Sequence, residues 1–160
     1  MPPGKNMDDW YTVLRSGMWR LRWMPGMLST EGKARFFSEF LPLLHATKYA
    51  VMGARDDDSW YLVYLGVRPD GRGKGYARKL VEYVTRKADI KGKACYLESS
   101  NASNPAIYRK MGFETVKQIE LCRARERVEL EIMVREPPDV PIQSAGAERV
   151  AAKRSACWIL

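Results

Sequence analysis

The sequence predicts one α/β domain, a mixed and mostly antiparallel sheet with flanking helices, and three observations predict it. A run of aromatic and β-branched residues, SWYLVYLGVRP (59–69), passes through a glycine-rich turn into an amphipathic stretch and then a second apolar run, ACYLESS (94–100). Strand, turn, helix, strand is the order of a right-handed crossover. Further on, FETVKQIEL (113–121) and ERVELEIMVRE (126–136) suggest an antiparallel strand pair, with Val128, Leu130, Ile132 and Val134 alternating against Glu129, Glu131 and Met133 to leave one mostly wet face. Finally, 160 residues suffice for one domain with a substantial core but not for two ordinary ones.

Taken in order, residues 1–28 are a basic aromatic N-terminal segment, 29–136 the domain and 137–160 a small, polar, proline-rich and flexible tail. Within 10–28, Trp10, Trp19 and Trp23 interleave with Arg15, Arg20 and Arg22. Such a segment suits a membrane interface or nucleic acid, but Pro25 and two glycines interrupt any long amphipathic helix, so covering an apolar face of the domain is the preferred reading. Phe36, Phe37, Phe40, Leu41 and Leu44 then recur at helical spacing, with Pro42 kinking that helix or starting another. TKYAVMG (47–53) reads as a short strand candidate. Asp56, Asp57 and Asp58 read as a solvated turn, because adjacent carboxylates are costly to bury.

After the 59–69 strand, Ala77, Leu80, Val81, Val84 and Ala88 form the apolar stripe of a helix whose other faces carry Arg78, Lys79, Glu82, Arg86 and Lys87. NPAIYRKMG (104–112) reads as a short helix with Asn104 as its N-cap, Pro105 at its first position and Gly112 stopping it. The two last strands are joined through Cys122 to Arg125.

Composition narrows the function classes. A net charge of +8 favours anionic partners without naming one. Cys95, Cys122 and Cys157 lack metal-ligand spacing and only His45 could join them, so no metal is expected and a cytoplasmic, reducing setting is. Neither a secretion signal nor a membrane span is read. The ending CWIL superficially fits a prenylation signal at Cys157, but Trp158 is bulky and the upstream AAKR weakly basic, so a chance ending is preferred.

The turn PDGRGKGYA (69–77) matches neither GxxxxGK[ST], since no Ser or Thr follows Lys74, nor GxGxxG. What it offers is an anion cradle: Gly73 and Gly75 remove side-chain bulk where a helix begins and unpaired N–H groups point outward. A plain strand-to-helix turn is the competing reading.

Arg72, Gly75 and Ala77 fit an [RQ]xxGx[GA] pattern, preceded by Leu65-Gly66-Val67-Arg68-Pro69, and Asn101, Tyr108 and Gly112-Phe113 follow in NASNPAIYRKMGFE. On these blocks residues 60–135 resemble the Gcn5-related N-acetyltransferase (GNAT) superfamily, particularly its fungal members. The resemblance implies the GNAT acyl-CoA acyltransferase fold, incomplete at its N-terminal side, and transfer of an acetyl group from acetyl-CoA to a primary amine by direct attack. It implies that Arg72, Gly73, Lys74, Gly75, Tyr76 and Ala77 hold the pyrophosphate of coenzyme A, and that Leu65, Gly66 and Val67 lie along the pantetheine arm, with the Val67 N–H polarising the acetyl carbonyl. Tyr108 takes the place of the family tyrosine that protonates the departing thiolate; a packed helix aromatic is the alternative. Asn101 fixes the loop, contacting backbone or pantetheine. Glu98 is the best candidate for the base, directly or through water, against a merely solvated strand-end carboxylate or a role for His45. Glu39 or Asp56–Asp58 could attract the acceptor, a small-molecule or peptide amine. A noncatalytic coenzyme A or acyl-CoA binding protein is the alternative function, nucleic acid is not expected, and a homodimer is compatible with the chain.

Overall fold

The computed structural model describes residues 1–5, 10–121 and 128–138. The connection through Cys122 to Arg125, Cys157 and the tail from residue 139 onward lie outside the described residues.

Four strands form one mixed sheet in the order β1-β2-β4-β3: β1 Trp60–Leu62, β2 Cys95–Ser99, β3 Glu114–Leu121 and β4 Val128–Arg135. β1 pairs parallel with β2, while β2 with β4 and β3 with β4 are antiparallel. The parallel pair is joined by α5, Tyr76–Ile90, the expected crossover helix. On β3 the register shifts between Thr115 and Lys117, and the intervening Val116 is exposed at the sheet edge.

The sheet is covered on both sides. One face buries Cys95, Leu97, Met133 and Phe113 against Val81 and Ala88 of α5. The other buries Tyr61, Tyr96, Ile132 and Val134 with Met52 of α4, Leu41–Met52. Met133 is therefore core rather than part of the wet face its alternation suggests, because α5 covers that side of β4. The seat of α5 also differs from the expected stripe: Val81, Thr85 and Ala88 are buried while Leu80 is 53% exposed. At the far end of α5, Asp89 accepts two hydrogen bonds from the Arg135 guanidinium, 2.6 and 2.9 Å, tying the helix to β4.

Before the sheet the chain is helical: α1 Trp10–Ser16, α2 Trp19–Trp23, α3 Thr30–Lys33 and α4, with Ala34–Phe40 forming a wider π turn between the last two. The wide turn lies just ahead of Pro42, which has no N–H and whose ring crowds the carbonyl four residues back; Leu41 N–H instead reaches back to the Phe36 carbonyl. TKYAVMG is consequently not a strand but the end of α4 and the turn after it, and Gly53 stops the helix. On α1 and α2 Leu14 and Trp23 stay exposed, and Arg22 lies over the Phe37 ring at 5.2 Å.

The predicted 59–69 strand ends early, at Leu62. Its pairing with β2 stops at Leu62↔Leu97, and residues 63–67 make no backbone hydrogen bond to other described residues.

Leu97 is 1% exposed at the centre of the α5 face. Leu97→Ala should cost about 2–5 kcal/mol of stability, measured as a lowered urea midpoint with an unchanged slope.

Candidate active site

Where β1 leaves the sheet, the chain runs through 63–67 into a short 3-10 turn, Pro69–Gly71, and then into α5. A β-carbon on Gly71 would lie 3.2 Å from Val67 Cγ1 and 3.3 Å from Tyr76 Cδ2, so a side chain there would press on both neighbours. Gly73 and Gly75 both sit at φ +74°, the left-handed region that L side chains avoid, with open space around them. Lys79 is the first α5 residue whose N–H is bonded, to the Gly75 carbonyl, and no residue from 73 to 78 donates a backbone N–H to other described residues. Those free donors sit at the start of a fifteen-residue helix, whose aligned dipoles add about half a positive charge there. Arg72, Lys74 and Tyr76 are exposed around them and Ala77 is half-buried. This backbone fits a phosphate group, and Leu65, Gly66 and Val67 lie just upstream on the unpaired segment.

Beyond β2, the Asn101 carboxamide oxygen accepts from Ser103 N–H at 2.9 Å and from Ser103 Oγ at 2.7 Å. This small side-chain turn starts α6, Asn104–Arg109, so Asn104 is the first helical residue instead of the cap. Tyr108 is half-buried on α6, its ring edge-on to Phe113 at 5.8 Å, and it packs against the buried cluster on the α5 face of the sheet. Its hydroxyl meets no partner among the described residues, and burial raises its pKa.

Glu98 points to the opposite face. Tyr61 Oη donates to Glu98 Oε2 at 2.8 Å, while Oε1 is enclosed without a hydrogen bond. Tyr96, beside it on β2, has a buried hydroxyl that is near the same carboxyl group yet reaches no hydrogen-bond geometry. Lys48 of α4 lies 5.7 Å from the centre of the Tyr61 ring and donates to Asp56, at 2.6 Å to its carbonyl and 2.7 Å to Oδ1. Burial raises the Glu98 pKa, against the Tyr61 hydrogen bond and the Lys48 charge, which lower it.

Sequence reading missed Tyr61, Tyr96 and Lys48. Period-2 alternation puts Tyr61 on one face of β1, and likewise sets Tyr96 and Glu98 on one face of β2, so the tyrosines were recoverable. Lys48 was hidden by reading its segment as a strand. The acidic run is likewise not wholly solvated: Asp56 holds Lys48 and Asp58 pairs with Lys93. His45 is exposed on α4 and is not among the groups around Glu98.

Glu98 and Tyr108 thus lie on opposite faces of the sheet, in which β1 and β2 separate past Leu62. A mainly apolar cavity of about 280 Å³ opens beside it, between β1 and α5, lined by Leu62, Leu65, Leu80, Val84 and Phe113 among others. Among the described residues there is no group of three or more His, Cys, Asp or Glu that could hold a metal ion, and no helix is long and apolar enough to cross a membrane.

Residues 44–115 match the family model of the acetyltransferase (GNAT) domain. An uncharacterized N-acetyltransferase of Schizosaccharomyces pombe is 53% identical over 137 residues, which is 86% of this chain and 54% of that protein. The chain therefore spans about half the length of this curated relative. Among solved structures, Arabidopsis thaliana NAA60 in complex with a bisubstrate analogue is 23% identical, with a TM-score of 0.44 over 50% of this chain and 49% of the other. The Drosophila melanogaster polyamine N-acetyltransferase is 16% identical, with a TM-score of 0.48 over 65% and 60%.

The raised Glu98 pKa has a stability consequence. Folded protein holds this proton more tightly than the unfolded chain, so stability falls as pH rises from the unfolded carboxylate value of about 4.3 through the raised native one. Glu98→Gln removes the titration, and its stability relative to wild type should grow across that window. Urea unfolding at pH 4 and pH 8 checks this; an identical difference at both would contradict it.

Proposed function

The chain carries an acetyltransferase domain of the GNAT family, and from that premise we propose that it transfers the acetyl group of acetyl-CoA to a primary amine. The observation that carries this is the free backbone of one continuous stretch: residues 63–67 and the N–H groups of 73–78 leave the sheet and enter α5 without partners among the described residues. Unsatisfied backbone donors are rarely left in place unless a ligand or water takes them. The proposed domain is 29–136.

In this reading, residues 72–77 orient the pyrophosphate through backbone amides, with Arg72 and Lys74 adding charge. The 65–67 segment aligns the pantetheine arm, and the Val67 N–H faces the thioester oxygen, where a fixed donor stabilises the developing oxyanion. The incoming ammonium loses a proton to Glu98, directly or through water, and its nitrogen attacks the thioester carbon. As the C–S bond breaks, Tyr108 gives its proton to sulfur, the former amine nitrogen sheds its second proton to water, and exchange with solvent restores Tyr108 and Glu98. The raised pKa of Glu98 brings a carboxyl group closer to the operating pH, and the unpartnered Tyr108 hydroxyl leaves its proton available. Holding amine and thioester together supplies much of the rate. The acceptor is a small-molecule or peptide amine. Cys95, a free buried thiol, supports a reducing compartment such as the cytoplasm.

The test is mass-resolved acetyl transfer from acetyl-CoA to a mixed amine library, with coenzyme A as competitor. Transfer abolished by competitor is expected. Saturable coenzyme A binding with no product from any amine would instead favour a noncatalytic binding protein.

Two variants separate the roles. Gly75→Val places a β-branched residue at a positive φ and should weaken coenzyme A binding about tenfold or more by calorimetry. Tyr108→Phe should lower kcat about 10²-fold while leaving coenzyme A affinity unchanged.

A further inference from the structure

We propose that residues 10–28 dock the protein on the surface of an anionic phospholipid bilayer, with side chains of α1, α2 and the turn after them dipping into the headgroup layer. This surface is independent of the acetyl-transfer reading. Tyr11, Leu14, Trp19, Trp23, Met24 and Met27 are all exposed, Trp23 by 73%. Single apolar residues scattered over a surface are ordinary, but these six fall within one short stretch and concentrate apolar area there, as interaction sites do.

Helical spacing gives the stretch an outer side. Tyr11 and Leu14 stand three positions apart on α1, and Trp19 and Trp23 four apart on α2, so each pair shares one helix face. Val13, Leu21 and Leu28 are half-buried, and the Arg22 guanidinium over the Phe37 ring holds α2 to the wide turn that follows. Met24 and Met27 flank the turn at Pro25 and Gly26. The helices are seven and five residues long, far short of a span, so the contact lies on the bilayer surface.

Charge identifies the partner. From Trp10 to Leu28 the chain carries Arg15, Arg20 and Arg22 and no Asp or Glu. None of the three guanidiniums pairs with a carboxylate among the described residues: Arg15 donates to the Tyr11 hydroxyl at 3.2 Å, and Arg20 lies over the Trp19 ring at 5.5 Å. Cations among exposed apolar side chains match a layer that is anionic at its headgroups and apolar beneath them. Tryptophan suits that boundary because its ring is apolar and its N–H polar, and arginine can keep its head among the phosphates while its stem lies deeper. Nucleic acid fits less well. Leu14, Met24 and Met27 offer no flat ring on which a base could stack, and Arg20 and Arg22 already lie over rings of the protein itself.

The experiment floats the full chain with vesicles of phosphatidylcholine alone and of an equal mixture with phosphatidylserine, at low and high salt. Binding to the mixed vesicles that salt weakens is expected, with little to the neutral ones. Replacing Arg15, Arg20 and Arg22 together by Gln should lower the affinity about a hundredfold, roughly fivefold for each charge. Trp23→Ser combined with Met27→Ser should lower it about tenfold or more. Both variants should keep the wild-type thermal midpoint, since these side chains are exposed. In the wild type, brominated lipid should quench tryptophan fluorescence, and Trp23→Phe should shrink the quenched part. Equal binding to neutral and mixed vesicles, no loss in either variant, or no quenching overturns the proposal. Absence of vesicle binding overturns it too, and binding of a single-stranded oligonucleotide in its place would give the segment to nucleic acid.

Discussion

The parallel pairing of β1 with β2 lasts only three residues, and the rest of the site depends on where it stops. Within those three pairs the sheet is continuous and both faces are packed. Past Leu62 the chain gives up its ladder bonds, which would be costly in a buried strand but leaves a stretch of amides and carbonyls without partners among the described residues beside a cavity. Because α5 must return the chain to β2 with a right-handed crossing, the diverging segment has to turn sharply into the helix. Gly71 gives that turn clearance from Val67 and Tyr76, and Gly73 and Gly75 supply its positive φ. One short strand thus sets the open segment, the glycine corner and the exposed helix start.

The two faces of the sheet do different work. On the α5 face, Leu97, Met133 and Phe113 form a dry core whose edge holds Tyr108. The α4 face carries a polar cluster into its interior, with Lys48 buried and one Glu98 oxygen enclosed without a hydrogen bond among the described residues. Taking those charges out of water opposes folding, and the Lys48–Asp56 pair offsets it only while both partners are present. Within this cluster burial pushes the Glu98 carboxyl group up while the Tyr61 hydrogen bond holds it down.

The elements read correctly from sequence were those with a strong local signal. α5 follows from its amphipathic spacing, the β3–β4 pair from alternation, and the presence of α6 from Pro105, although its start lies one residue earlier than expected. Local signals failed where a neighbour changed the outcome. β1 was read too long because Val63, Tyr64 and Val67 favour strands wherever they occur; only the lack of a paired partner beyond Leu62 shortens it. TKYAVMG contains residues that suit either structure, and continuity with α4 decided for helix. Leu80 looks like core by spacing but faces the cavity, and Met133 looks solvent-facing until α5 covers it.

By itself the sequence determined the crossover order, the glycine-dependent corner before α5 and the positions of Glu98, Asn101 and Tyr108, because these follow from local φ preference, side-chain period and motif spacing. Tertiary structure decided which residues meet across distance. It put Tyr61 against Glu98, thirty-seven positions apart, brought Lys48 over that tyrosine, and set Glu98 and Tyr108 on opposite faces of the sheet. Those relations depend on strand register and on which helix covers which face, and both are settled only when the sheet packs.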